Sequence, residues 1–421
     1  MSMVELLAPA GDFEKLQVAF NYGADAVYVG LKDLSLRANA KNFNFDQLKE
    51  VIEYTHSINK KIYVALNIYF TPKQEEKIIE AIKILKKLKP DGIIISDLGL
   101  LYLIKNNNIN IPIHISTQAN TTNQYACMLY KELGVSRIIV ARELSLDDIK
   151  LIKRNVQLEL EAFVHGAMCI SYSGRCILSS FMTTKGLGAR EIDNGITRSA
   201  NQGDCSHSCR WEFILKEKNR PNQNYEIEED ENGTYILSSK DLCMIEHLDK
   251  LIDAGINSFK IEGRMKSILY ISSIVRAYRF AIDSYFNKKP LDYNFINKEL
   301  NIVSHREFST GFFFNFPMQN ANISLNTTYI REYRLGAMVI GEKNGKAVLK
   351  IYNSLSFDDI MEYISPIDKT YFINKIDFFD KDGNYLEKVN HSQYVEAIIY
   401  DENLNIIQPQ KFDIIRLQKK F

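Results

Sequence analysis

The sequence has no excess of either charge, because 52 Lys and Arg residues balance 52 Asp and Glu residues over 421 positions. This balance excludes a global electrostatic field that would draw the protein to nucleic acid or to an anionic membrane. A polyanion would therefore have to be bound by a local patch.

Long hydrophobic runs are also missing. No stretch reaches the ~20 apolar residues that span a bilayer. Residues 1–7 lack the basic and apolar segments of a secretion signal. We therefore expect a cytoplasmic protein with no membrane partner. The length allows one large domain and one smaller domain.

Cysteine is scarce, with six residues in all, yet four of them form two close pairs, Cys169 with Cys176 and Cys205 with Cys209. In a cytoplasmic protein, clustered cysteines favour metal binding or catalysis over disulfides. Four thiolates suit either zinc or an iron–sulfur cluster. Structural zinc sites usually have closer pairs, so the C-x6-C spacing favours [4Fe–4S]. The alternative is four unrelated core cysteines.

Three further residues bear on this cysteine site. Cys127 lies among apolar residues of an amphipathic helix and is expected in the core. Cys243 follows Lys-Asp-Leu and could replace one of the four ligands. His207 lies between two cysteines and is expected to face solvent.

The first 265 residues repeat one pattern, in which a β-branched apolar run precedes an amphipathic segment. Eight such units favour a closed (β/α)8 TIM-like barrel over an open doubly wound sheet. The predicted strands are Val4–Ala8, Ala26–Gly30, Ile62–Asn67, Gly92–Ser96, Ile111–Thr117, Arg137–Ala141, Leu158–Val164 and Ser258–Glu262.

These sequence patterns divide the chain into three parts. Residues 1–290 are predicted to form the barrel domain, with an insertion at about 166–240 that carries the clustered cysteines. Residues 291–334 are expected to be a connector. From residue 335 to 421, alternating strands and turn signals predict a small all-β barrel of five or six strands.

Polar side chains follow several predicted strands, and a TIM-like barrel places its active site at these carboxyl ends. Arg142 and Arg264 suit bidentate recognition of carboxylate or phosphate; the alternative is an ion pair with the neighbouring Glu143 or Glu262. The candidate substrate-binding residues are Asn67, Gln118, Asn120, Arg142 and Arg264, and the candidate catalytic residues are His165, Glu262 and Arg264.

Three of these candidates also have a purely structural interpretation. Gln118 and Asn120 could orient a polar substrate or merely satisfy the backbone of a turn. His165 could donate a proton or bind substrate, although a lone histidine is more often a satisfied core residue. Its position at the end of the seventh strand favours the functional interpretation.

Two basic and aromatic stretches, residues 209–213 and 411–420, could contact RNA phosphates and bases. A charge run is usually a solvated face. The balanced net charge also argues against a dominant basic surface.

Residues Glu161–Ser179 resemble the signature of peptidase family U32, E-x-F-x2-G-[SA]-aliphatic-C-x4-G-x-C-x-aliphatic-S, at every fixed position. The resemblance extends over nearly the whole chain and includes the β-module of the family's long form. Further matching segments are residues 6–11, 23–30, 202–211, 239–242 and 260–267.

The family name implies a collagenase-like protease, but its better-understood members are oxygen-independent hydroxylases with an iron–sulfur cluster. The long form resembles the prephenate-dependent enzymes that make 5-hydroxyuridine at the wobble position of tRNA. The resemblance implies Cys169, Cys176, Cys205 and Cys209 as cluster ligands. It also implies prephenate, a dicarboxylate, as co-substrate and the anticodon region of tRNA as partner. Our own hypothesis from the residues is that Arg142 and Arg264 hold the prephenate carboxylates.

A peptidase is the alternative function. The sequence contains no G-x-S-x-G elbow and no H-E-x-x-H helix. Cys169 as nucleophile with His165 as base would leave three neighbouring cysteines unexplained, whereas a cluster explains all four. An RNA-binding scaffold with a purely structural cluster is a third, less favoured interpretation, because the predicted barrel mouth is so polar.

Overall fold

A computed structural model describes residues 4–32, 34–35, 42–169, 171–183, 198–210, 229–230, 233–234, 240–314, 332–366 and 370–418. The chain forms two compact units. The first comprises Met1–Phe13, Asp25–Met265 and Arg306–Tyr329, and the second comprises Glu14–Ala24, Lys266–His305 and Ile330–Phe421.

The strands of the first unit are β1 Glu5–Pro9, β2 Ala26–Gly30, β3 Lys61–Leu66, β4 Gly92–Ile95, β5 Ile113–Ile115, β6 Arg137–Ile139, β7 Glu159–Ala167, β8 Glu229–Asp230, β9 Gly233–Thr234, β10 Asp241–Cys243, β11 Ser258–Ile261 and β12 Phe308–Ser309. Its helices are α2 Phe45–Ser57, α3 Glu75–Leu88, α4 Leu98–Asn106, α5 Gln124–Glu132, α6 Leu146–Asn155, α7 Leu178–Thr183 and α8 Leu248–Asp253.

The eight predicted barrel strands are all present, as β1–β7 and β11. They pair in parallel in the order β11-β1-β2-β3-β4-β5-β6-β7, and a β11–β7 pairing closes the barrel. Nearly every strand residue is buried, which is why most of the strands are largely apolar in the sequence. Arg137, Glu161 and Lys260 are buried charged exceptions. The predicted TIM-like barrel is confirmed.

Strand β7 continues past the last barrel pairing and leads into the cysteine segment. Its final residues pair antiparallel with β10, in the register Gly166 with Leu242, and β10 pairs in parallel with β12. Arg306 fixes this extension, because its Nη2 donates to Oδ1 of buried Asp241 at 2.7 Å.

The second unit contains the helices α1 Phe13–Asn21, whose first residue belongs to the first unit, α9 Ile268–Phe286 and α10 Tyr293–Ile302. Its strands are β13 Tyr333–Lys343, β14 Lys346–Ile351, β15 Leu355–Ser356, β16 Met361–Ile364, β17 Thr370–Ile373, β18 Lys375–Phe379, β19 Tyr385–Leu386, β20 Lys388–Val389, β21 Tyr394–Tyr400 and β22 Ile414–Gln418.

An antiparallel sheet in the order β17-β16-β22-β13-β14-β21-β18-β19 builds this unit, and a small β15–β20 pair accompanies it. The predicted all-β module is therefore confirmed, although its main sheet has eight strands rather than five or six. One face of the sheet packs an apolar core that includes Val339, Leu349 and Phe378.

The strand β22 lies inside this sheet, between β16 and β13. As a result Arg416 is 0% exposed, and its guanidinium binds the carboxylates of Glu299 at 2.9 Å and Glu362 at 2.6 Å. The prediction that residues 411–420 form an RNA-binding surface is therefore wrong for Arg416. Lys411 is exposed, and Lys419 and Lys420 lie outside the described residues.

Among the helices in the described ranges, none is both long enough and apolar enough to cross a membrane.

Candidate active site at the carboxyl end of the barrel

A cavity of about 160 Å³ opens at the carboxyl ends of the barrel strands. It collects side chains from several strand ends and from both cysteine pairs. The sequence-predicted residues that line it are Asn67, Gln118, Arg142, Cys169, Cys176, Cys205, Cys209, Glu262 and Arg264.

The loop between Cys169 and Cys176 is attached to the barrel rim. The backbone N–H of Ser173 donates to Oε1 of Glu143 at 2.8 Å, and the Ser173 hydroxyl donates to both carboxylate oxygens. Gly174 has φ +72°, and a Cβ there would lie 1.9 Å from the carbonyl oxygen of Gln118. Only glycine fits this close approach, so the loop position depends on Gly174.

The second cysteine pair is attached to helix α7. The buried hydroxyl of Ser179 donates to the carbonyl oxygen of Arg198 at 2.7 Å and accepts the backbone N–H of Ser206 at 2.9 Å. Asn201 donates from Nδ2 to the carbonyl oxygen of Cys176 at 3.0 Å. These bonds hold the segment with Cys205 next to the segment with Cys176.

All six cysteines lie within the described residues, and none of them forms a disulfide. Cys169 is exposed, while Cys176, Cys205 and Cys209 are partly exposed. The backbone N–H of His207 donates to Sγ of Cys205 at 3.4 Å, so the protein backbone helps to position this sulfur.

The other two cysteines have different surroundings. Cys127 is fully buried on α5, and burial raises the pKa of its thiol to about 11. It is a core residue, as predicted. Cys243 lies on β10 beside His165 and is not among the cavity-lining residues.

The donor set of the cavity, four thiols, has the softness that iron–sulfur clusters require. In the described part of the chain, no group of three or more His, Cys, Asp or Glu side chains is arranged to hold a metal ion. A zinc site would need its four sulfurs about 2.3 Å from one point. The four cysteines line a single cavity, and their assignment as ligands of an iron–sulfur cluster stays a prediction.

Two arginines give the cavity its positive charge. The guanidinium of Arg142 lies 4.2 Å from the ring centre of Phe163, and its Nη1 donates to the carbonyl oxygen of Ala167 at 3.1 Å. Arg264 is buried and packs so tightly against Gly30 that a Cβ there would lie 2.2 Å from its Nη1. Packing thus fixes both guanidinium groups at the cavity.

Sequence reasoning missed two residues of this site. Glu143 was considered only as a partner of Arg142, but its carboxylate anchors Ser173. Lys260 was not considered, although it lines the cavity. The alternation of Lys260, Glu262 and Arg264 was an available signal, because alternate residues of an extended segment point to the same side.

Two predicted residues do not line the cavity. His165 is 1% exposed on β7, and its ring centre lies 5.5 Å from that of Phe308; its catalytic assignment stays a prediction. Asn120 has a left-handed φ of 54°, and its N–H donates to the carbonyl oxygen of Thr117 at 2.9 Å. That geometry matches the turn-forming alternative.

The barrel interior below the cavity is unusually polar. Nη1 of Arg137 donates to Glu5 at 2.6 Å and to Glu161 at 3.1 Å. Burial acts to raise the pKa of Glu5, but the charge and hydrogen bond of Arg137 outweigh it, so the pKa lies below its usual value. Burial, together with Arg137 and Lys260, lowers the pKa of His114 well below its usual value, so this imidazole is neutral.

A closed parallel barrel with a cysteine-lined cavity at the carboxyl ends of its strands defines the class of protein, a TIM-barrel enzyme. The chain belongs to peptidase family U32, whose profile matches residues 11–323.

Three curated relatives illustrate the range of this family. The chain is 33% identical to tRNA hydroxylation protein P1 of Bacillus subtilis, over 95% of this chain and 92% of that protein. It is 33% identical to tRNA hydroxylation protein P of Escherichia coli, over 86% of each chain. It is 32% identical to a collagenase of Porphyromonas gingivalis, over 67% of this chain and 66% of that protein.

Proposed function

We propose that the protein is an oxygen-independent, prephenate-dependent hydroxylase that forms 5-hydroxyuridine at the wobble position of tRNA. The observation that carries this proposal is the convergence of four cysteines, from two separate segments, and two arginines on one cavity. The names of the Bacillus and Escherichia relatives support tRNA as the substrate class.

Cys169, Cys176, Cys205 and Cys209 would hold the cluster in this proposal. Bound there, a [4Fe–4S] cluster would supply a Lewis acid or an electron relay. The protein's own contribution is to place the two thiol pairs together, through Glu143 with Ser173 and through Ser179 with Ser206.

Arg142 and Arg264 would bind the carboxylates of prephenate. Arginine presents a planar set of donors that matches a carboxylate bidentately. Glu262 lines the same cavity and accepts the Tyr28 hydroxyl at 3.4 Å. It is therefore the carboxylate best placed to accept a proton from a bound substrate, whereas His165 is buried away from the cavity lining.

The target base would reach the cavity past exposed apolar side chains of the segment that carries Cys169 and Cys176. Tyr172 lines the cavity and is 59% exposed, and Ile177 and Phe181 on the same segment are also exposed. Exposed aromatic rings stack on unpaired bases. Arg175 is exposed beside them and can pair with a backbone phosphate.

The peptidase alternative draws its support from the name of the Porphyromonas relative. A cysteine peptidase needs a base within hydrogen-bond reach of its nucleophile. Cys169 lines the cavity, whereas His165 is buried and does not line it, and this placement favours the hydroxylase over a Cys169–His165 dyad.

The test combines metal analysis with analysis of tRNA. Anaerobically purified wild type should contain about four irons per chain and show a broad ~400 nm band. A strain lacking the gene should regain 5-hydroxyuridine with wild type and with Cys127→Ala, but not with Cys169→Ala. An iron-free, folded wild type would contradict the cluster, and unchanged wobble uridine in the complemented strain would contradict the tRNA activity.

A further inference from the structure

Lys260 lies at the cavity in an unusual environment. Its side chain is 3% exposed, and its Nζ lies 4.4 Å from the ring centre of Tyr28 and 5.5 Å from that of Phe163. Arg142 also contacts Phe163, since its guanidinium carbon lies 4.2 Å from the same ring centre. Two cations thus share one aromatic ring beside the cavity that they both line.

A buried carboxylate faces the Lys260 ammonium. Nζ donates to Oε1 of Glu161 at 2.7 Å, and Glu161 is 0% exposed. Glu161 also accepts from Arg137 at 3.1 Å. Burial lowers the pKa of Lys260, and Glu161 opposes this effect. A carboxylate at this distance favours the protonated ammonium over the neutral amine.

The hydrogen bonds of this ammonium are incomplete. An ammonium carries three N–H donors. Within the described residues, Lys260 donates one hydrogen bond, and Glu161 accepts it. Buried polar groups in folded proteins are normally satisfied. Because Lys260 borders the cavity, an oxygen of a bound molecule can complete its set.

We propose that Lys260 is a substrate-binding residue, whose ammonium donates a hydrogen bond to an oxygen of the small organic acid held by Arg142 and Arg264. The inference rests on the proposed function for the nature of that acid. Binding is non-covalent, because the ion pair with Glu161 keeps the amine protonated. Lys260 therefore adds a third cation to the two arginines and favours acids with a further oxygen acceptor, such as an oxo group.

Binding of prephenate and of 2-oxoglutarate to anaerobically purified protein, measured by calorimetry, tests this proposal. Lys260→Met should weaken binding about 10- to 100-fold, the range for a hydrogen bond to a charged group. Lys153→Met is the matched control. Burial also lowers the pKa of Lys153, but its Nζ donates to Leu158 and Asn257 outside the cavity lining. This control should bind like wild type.

Removing Lys260 alone leaves Glu161 with less neutralising charge, so the double variant Lys260→Met with Glu161→Gln is measured beside it. Both variants should contain as much iron as wild type. Both should lose affinity for the acids to the same extent. Wild-type affinity in either folded variant would overturn the proposal, as would a stable adduct of Lys260 after borohydride reduction with either acid.

The two proposals fail in different ways. Lys260-dependent binding of 2-oxoglutarate without binding of prephenate would support Lys260 and contradict prephenate as co-substrate. A wild type that binds neither acid would overturn the role of Lys260 while leaving the iron and tRNA measurements to decide the hydroxylase.

Discussion

The backbone N–H of Ser173 donates to the carboxylate of Glu143 at 2.8 Å across 30 positions of sequence. Glu143 follows the barrel strand β6, and Ser173 lies between two of the clustered cysteines. This bond connects the barrel rim to the loop between Cys169 and Cys176. The barrel therefore fixes the position of these two cysteines.

Glu143→Ala should release this loop. The variant loses charged hydrogen bonds worth about 1.5–3 kcal/mol each when well ordered, and it should purify with less than half of the wild-type iron. Glu143→Gln keeps an acceptor and should retain more iron than Glu143→Ala. The exposed Glu132→Ala should behave like wild type. Full iron loading of Glu143→Ala would contradict the anchoring role.

Gly174→Ala combines a steric clash with a strained backbone. The new Cβ would lie 1.9 Å from a backbone oxygen, at φ +72°. Gly345 has a similar φ of +77°, but a Cβ added there would have no neighbouring atom within 4 Å. Gly345→Ala should therefore show only the strain of about 1–2 kcal/mol. Thermal unfolding and iron content should both fall further in Gly174→Ala, and equal effects would contradict the close approach to Gln118.

Ser179→Ala should separate the two cysteine pairs. It removes a buried hydroxyl that bonds both Arg198 and Ser206, and an unsatisfied buried group costs about 1–3 kcal/mol. Ser180→Ala is the matched control, because its hydroxyl makes a longer bond of 3.5 Å to Arg198. We expect faster loss of iron to a chelator in Ser179→Ala alone. Equal rates of iron loss in the two variants would contradict the role of Ser179 in holding the cysteine pairs together.

Tyr172→Ala should weaken RNA binding at the cavity mouth. Stacking of a base on an aromatic ring contributes about 1–3 kcal/mol, so affinity for an anticodon stem-loop should fall about 5- to 100-fold in a filter-binding assay. Tyr125 is also exposed but lies on α5 outside the cavity lining. Tyr125→Ala should bind normally, and a loss shared by both variants would point to a non-specific effect.

Asp413 should make the second unit lose stability as the pH rises. Burial raises the pKa of this carboxyl to about 6, while a hydrogen bond from Tyr363 opposes the rise. Because the folded state holds its proton more tightly than the unfolded state, the free energy of unfolding falls between about pH 4 and pH 6. The contribution is about 3 kcal/mol, because each unit of pKa difference between the folded and unfolded states corresponds to about 1.4 kcal/mol.

Urea unfolding of wild type and Asp413→Asn over this range measures the effect. Other carboxyl groups titrate equally in both proteins, so the difference between the two curves isolates Asp413. The free energy of unfolding of the wild type, relative to that of Asp413→Asn, should fall as the pH rises to 6. A difference that does not vary with pH would contradict the raised pKa.

The barrel was predictable because most of its strands are largely apolar segments that alternate with amphipathic helices, and burial on both faces favours such segments. The gathering of Cys169, Arg142 and Arg264 at one end followed from the barrel topology. The attachment of the cysteine loop did not, since it depends on contacts such as Gly174 with Gln118 that no local pattern reveals. For Arg416 the prediction was wrong. Its basic stretch was interpreted as a surface, but nothing in that stretch indicates that its strand lies inside a sheet.

The second unit draws on three separate regions of the chain, residues 14–24, 266–305 and 330–421. In this unit the hydroxyl of Tyr22 donates to the carbonyl oxygens of Ile364 and Phe412. On the ribosome, the last barrel strand emerges well before those acceptors have been synthesised. Helix α1 therefore cannot make these bonds until residues 364 and 412 have been synthesised. A nascent chain halted after β11 would hold a complete set of barrel strands together with an unfinished second unit.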